Sequence, residues 1–169
     1  MKRIACFLAL SFLLLNGCGA MGQSLKQEEE KRIAQQVGKR LDTKDYRIQI
    51  NYMSPSRGGG KVVTDVYSLT VKGSVVDSHL PYMGVAYSVP YGGGKVLTFK
   101  DDIDEYSDSG WEKGKRKIVF STNNDEDNIV YTITVFENAS ADIRVHCNNR
   151  EDISYNGELI TDEEDSGQE

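Results

Sequence analysis

Along most of the chain, apolar and polar residues alternate one by one. Tyr46, Ile48, Ile50 and Tyr52 alternate with Arg47, Gln49 and Asn51, the period of a strand buried on one face. Ile129, Tyr131, Ile133 and Val135 repeat that period. Ala141, Ile143, Val145 and Cys147 share one side of a strand over residues 140–147, which turns His146 toward solvent beside Arg144. Strand character also runs through residues 62–72, 75–80, 95–99 and 116–122. Gly73-Ser74, the polar run from Asn123 to Asn128, and Asn138-Ala139 supply turns between these runs. Asn156-Gly157, set between residues 152–155 and 158–160, is the strongest short hairpin signal and predicts a final hairpin. Residues 101–114 are polar and acidic around Ile103, Tyr106 and Trp111, and read as an edge strand plus a loop.

Ahead of Tyr46 the period lengthens. Ile33, Ala34, Val37 and Leu41 fall on one helical stripe. Ser24-Leu25-Lys26-Gln27 reads as a capping box, and Lys39 and Arg40 suit the negative end of the helix dipole. The spacing predicts a helix over residues 25–41 that covers a sheet with one narrow face. The fold class predicted is α+β: an N-terminal helix packed on an antiparallel, strongly curved β-sheet or partly closed barrel of about eight or more strands.

The first residues follow another logic. Lys2 and Arg3 precede an uncharged apolar run from Ile4 to Leu15, too short for a bilayer-spanning helix but suited to the core of a signal peptide. Leu15-Asn16-Gly17-Cys18 resembles a bacterial lipobox, which makes Cys18 the expected site of lipid attachment. The rival is ordinary cleavage after Ala20-Met21-Gly22, leaving Gln23 first. The expected organisation is a signal peptide over 1–17, a short tether over 18–24, one β-rich domain with its helix over 25–160, and a disordered acidic tail over 161–169. The localisation expected is an outer-membrane lipoprotein or the periplasm.

Charge and cysteine usage narrow the function classes. Removing Lys2 and Arg3 takes the net charge from −6 to −8, which argues against nucleic acid and leaves the lipid anchor as the only membrane contact. Of the three cysteines, Cys6 lies in the leader and Cys18 at the anchor, so Cys147 stands alone. Without a disulfide framework the core must carry stability. Both Gly-Lys sequences, at Gly60-Lys61 and Gly94-Lys95, are followed by valine rather than the hydroxyl residue and helix of a phosphate loop. His79 and His146 are isolated, and the acidic runs lack calcium-loop spacing. No metal site and no cofactor are expected.

What stands out is the stretch from Leu80 to Phe99, LPYMGVAYSVPYGGGKVLTF. Pro81 and Pro90 fix the backbone at two points, while Gly84 and the triplet from Gly92 permit paths closed to other residues. Tyr82, Tyr87 and Tyr91 are therefore candidate binding residues, with His79 just before the stretch and Arg150 as a further candidate. Aromatic side chains on a rigid loop offer large area at low entropic cost; equally, they can close the end of the core.

Leu80-Pro81-Tyr82, Gly84, Ala86-Tyr87, Pro90-Tyr91-Gly92-Gly93 and Phe99 resemble the hallmark block of the domain of unknown function 4251 family. Asn138, Ser140-Ala141, Asn149-Arg150, Ile153-Ser154-Tyr155 and Gly157 resemble its later positions. The resemblance spans Tyr46 to Ile160 and implies a small exported protein of a Bacteroides-type bacterium. The chain departs at Met83 and Val85, where an aromatic and often a basic residue are expected, and at Ala139, where glycine is usual. The functional expectation is a non-enzymatic binding module of the cell envelope for a protein or small ligand. The alternative is an envelope hydrolase or other enzyme with its site at the stretch from Leu80 to Phe99.

Overall fold

The computed structural model describes residues 18–85, 96–123 and 127–161. Helix α1, Cys18–Asp42, is followed by nine strands: β1 Asp45–Pro55, β2 Lys61–Lys72, β3 Val75–Pro81, β4 Val96–Asp102, β5 Glu105–Glu112, β6 Lys115–Asn123, β7 Asn128–Phe136, β8 Ser140–Cys147 and β9 Ile153–Leu159. They form one antiparallel sheet in the order β4-β3-β2-β1-β9-β8-β7-β6-β5. Two meanders, β1 to β4 and β5 to β9, are joined where β9 pairs with β1. The α+β class is as the alternation predicts, and the sheet curls strongly into a half-barrel. Among the described residues no ladder joins β4 to β5, so the sheet stays open.

The curl follows from what the inner face holds. Tyr46, Ile48, Leu69, Val71, Val76, Leu80, Ile118, Phe120, Tyr131, Ile133 and Tyr155 are fully or almost fully buried. A fully buried aliphatic or aromatic side chain stabilises by about 1.5–3 kcal/mol relative to exposure, so wrapping the sheet around them is favourable. Tyr131 of β7 reaches across the interior and donates to Ser78 Oγ of β3 at 3.1 Å, and Ser78 Oγ donates to Leu97 O at 2.9 Å. Phe120 stacks between Tyr106 and Tyr131, with ring centroids 6.3 and 4.8 Å away. Cys147 lies on the buried side of β8 at 3% exposure, as its period predicts. Burial pushes its thiol up to about 12.

Val37 and Leu41 of α1 enter this core, with Ile33 packed beside them. Residues 25–32 of the helix are exposed throughout, so this part of it is not packed on the sheet. The helix does not start at Leu25 but already runs through the described residues from Cys18. Ser24 is therefore helical and not a cap, because nothing from Gly19 to Gln23 breaks the helix. At the other end Lys44 takes the left-handed region, φ 51°, and ends the helix. Thr43 Oγ1 lies 3.0 Å from Lys39 O and 3.1 Å from Arg40 O, both of which it can serve as donor.

The predicted hairpin at Asn156-Gly157 is not formed. Both residues lie inside β9, an inner strand between β1 and β8, and neither takes the positive φ that such a turn needs. Gly157 serves close approach instead. A Cβ there would sit 2.2 Å from Gln49 O and 3.0 Å from Gln49 C, beside the register shift between Ile50 and Tyr52 of β1. Residues 105–112 do form an edge strand, bulged between Asp108 and Trp111 around Gly110 at φ 67°. Ala139, where the family pattern has glycine, also takes a positive φ of 69°. The expected leader over 1–17 and the acidic residues after Thr161 lie outside the described residues, as do Tyr87 and Tyr91.

Candidate functional site

The described part of the central stretch lies at the end of the sheet where β1 and β3 finish. Tyr82 continues the inward parity of Ser78 and Leu80 and is 7% exposed. Its hydroxyl lies 3.1 Å from Glu151 O and 3.2 Å from Val85 O. Burial raises it above the usual phenol range. Glu151, itself buried, accepts the Val85 N–H at 3.2 Å through Oε2 and pairs through Oε1 with Arg57 Nε at 3.1 Å. The Glu151 N–H donates to Val85 O at 3.1 Å. Tyr155 donates to Pro81 O at 2.7 Å. Three turns, those following β1, β3 and β8, are thus stitched together, with Tyr82 as the aromatic plug beneath them.

The sequence candidates divide accordingly. Arg150 meets Tyr82, its guanidinium carbon 5.7 Å from the ring centroid. His79 does not join them. It faces the outer side of β3, stacked on Tyr67 at 5.0 Å, with Nδ1 2.9 Å from Thr98 Oγ1. Cys18 lies in α1, at the edge of the described residues. His146 points outward as predicted, but sequence reasoning missed its partner. Nδ1 lies 2.6 Å from Asp152 Oδ1 across the turn after β8. Among the described residues, no group of three or more His, Cys, Asp or Glu is placed to hold a metal ion. No described helix is long and apolar enough to cross a membrane.

At the other end of the central strands, where β1 begins, an Arg116 cluster pins α1. Arg116 Nη1 donates to Asp42 Oδ1 of the helix at 2.6 Å, and Nε donates to Asp108 Oδ1 of β5 at 2.8 Å. The guanidinium holds the Asp108 carboxyl below its ordinary value. Beside this fixed helix end lies a groove of about 590 Å³. Gln36, Lys39, Arg40 and Thr43 form one wall, and Asp45, Arg47, Thr70 and Lys72 of β1 and β2 the opposite one. The residues just after β9 supply Ile160 and Thr161, with the Ile160 N–H donating to Arg47 O at 2.9 Å. The sequence did not announce this groove, because its residues are scattered from position 36 to position 161.

The DUF4251 family model, a domain of unknown function, matches residues 26–159. The chain belongs to the DUF4251 family. A solved structure of a DUF4251 family protein from Bacteroides eggerthii DSM 20697 is similar, with a TM-score of 0.64 at 17% identity, over 80% of this chain and 91% of that one. At that identity the likeness speaks to the fold. No curated protein matches the chain. The DUF4251 match takes in Tyr82, His79, Arg150 and all nine strands, while Cys18 and the acidic residues after Thr161 fall outside it.

Proposed function

We propose that this DUF4251 protein is exported, anchored to the envelope membrane by lipid on Cys18, and serves there as a non-enzymatic binding module for a protein or small ligand. The observation that carries the anchored reading is the part of the helix that is not packed on the sheet. From Leu25 to Arg32 it touches nothing that buries it. A helix rises about 1.5 Å per residue, so such a segment holds the sheet off the membrane as a stalk. The binding reading draws on the pinned turn after β3. Val85 is fixed through both its N–H and its carbonyl to Glu151. The stretch carrying Tyr87 and Tyr91 thus departs from a fixed point, and Tyr82 serves as its buried support. We assign recognition to Tyr87, Tyr91 and Arg150.

Fractionation of the native host tests the anchor. Wild type pellets with membranes, and Cys18→Ala moves it to the soluble fraction. A wild type that is already soluble contradicts the reading.

A further inference from the structure

The turn after β8 buries a carboxylate whose cation is exposed. The Glu151 side chain is 8% exposed, while that of Arg57, its ion-pair partner among the described residues, is 81% exposed. Glu151 Oε2 accepts the Val85 N–H, and Arg57 Nε stands 3.1 Å from Oε1. A buried carboxylate is costly without a cation. A long, solvated side chain gains little from being held in one ion-pair geometry. The need for the pair thus lies with Glu151, and the hold on Arg57 is weak.

The turn carrying Arg57 is fixed on one side of it and open on the other. Ser56 Oγ donates to Asp152 O at 2.5 Å, which keeps the turn beside Glu151. Gly58, at φ 94°, follows Arg57, and a Cβ on Gly58 or Gly59 would meet nothing within 4 Å. Arg57 therefore swings away without unpacking a neighbour. Exposed apolar side chains lie close by: Met83 and Val85 are 39% and 51% exposed, and Val85 is bonded to Glu151 itself. Such a rim suits a cation carried on an apolar stem. The net charge of −6 favours a basic partner.

We propose that Glu151 is a recognition site for an arginine side chain of a partner protein, and that Arg57 is its built-in placeholder. The partner's guanidinium replaces that of Arg57 like for like, and its stem lies along Met83 and Val85. The proposal stands on Glu151 and needs neither the anchor nor Tyr87 and Tyr91, so it fails or holds apart from them.

The probe is N-acetylarginine amide, titrated into isotope-labelled full-length protein. Binding is read by nuclear magnetic resonance at the Val85 amide, which donates to the same carboxylate. Arg57→Ala is expected to bind the probe at least tenfold more tightly than wild type. Arg57→Lys keeps a cation in place and is expected to bind as weakly as wild type. Adding Glu151→Gln to Arg57→Ala is expected to abolish binding. N-acetylcitrulline amide, of the same shape but uncharged, is expected not to bind. An Arg57→Ala protein that binds no more tightly than wild type, or that binds the citrulline probe equally well, overturns the proposal. So does binding that leaves the Val85 amide unmoved or that survives Glu151→Gln.

Discussion

Gly157→Ala probes the packing of β9 against β1. The new methyl carbon would stand 2.2 Å from Gln49 O, 3.0 Å from Gln49 C and 3.2 Å from Ile48 Cγ2. The first two are backbone atoms of a strand paired on both sides, so no side-chain rotation relieves the contact. Overpacking a well-filled interior costs about 1–3 kcal/mol, and a clash with immovable backbone belongs at the upper end. For a chain of this size each kcal/mol lowers Tm by about 2–4 °C, so a loss of about 6–12 °C is expected. Thermal unfolding followed by circular dichroism reads it directly. Gly59→Ala is the control: nothing lies within 4 Å of its added Cβ, and its Tm is expected to stay with wild type. A Gly157→Ala protein melting together with the Gly59→Ala control would refute the inner-strand placement and restore the hairpin.

Two further outcomes follow from burial. Tyr82→Ala is expected to cost about 3–5 kcal/mol, because it empties the plug beneath three stitched turns; Tyr82→Phe, keeping the ring, is expected to cost about 1 kcal/mol. Chemical denaturation separates the two, and a neutral Tyr82→Ala would remove the assignment of Tyr82 as support. Native Cys147 is expected to react with a thiol reagent far more slowly than the unfolded chain, since burial blocks access and disfavours the thiolate. Its folded pKa is raised, so its contribution to stability is whole below the ordinary value of 9.0 and is lost as pH rises toward about 12. Equal thiol reactivity in the two states would show that the register of β8 is wrong.

Much of the fold was legible because a half-barrel buries one face of each strand. Tyr46, Ile48 and Ile50, or Ala141, Ile143, Val145 and Cys147, therefore announce both their strand and their inward side. Tyr82 was legible only as an aromatic on a punctuated stretch; its burial depends on Glu151, far along the chain. Asn156-Gly157 misled because local turn chemistry and close approach to a neighbouring strand both favour glycine, and only the position of β1 decides between them. The start of α1 was misplaced because Ser24 is a good cap only where the preceding residues leave the helix, and here they remain in it. The basic groove and the His146–Asp152 pair arise from convergence in space, for which sequence spacing gives no sign.

The central claim is the anchored module, and the N-terminal peptide of the protein isolated from its native membrane tests it most directly. Mass spectrometry is predicted to find that peptide beginning at Cys18 with added mass from acyl chains. An unmodified peptide beginning at Gln23 would contradict the account.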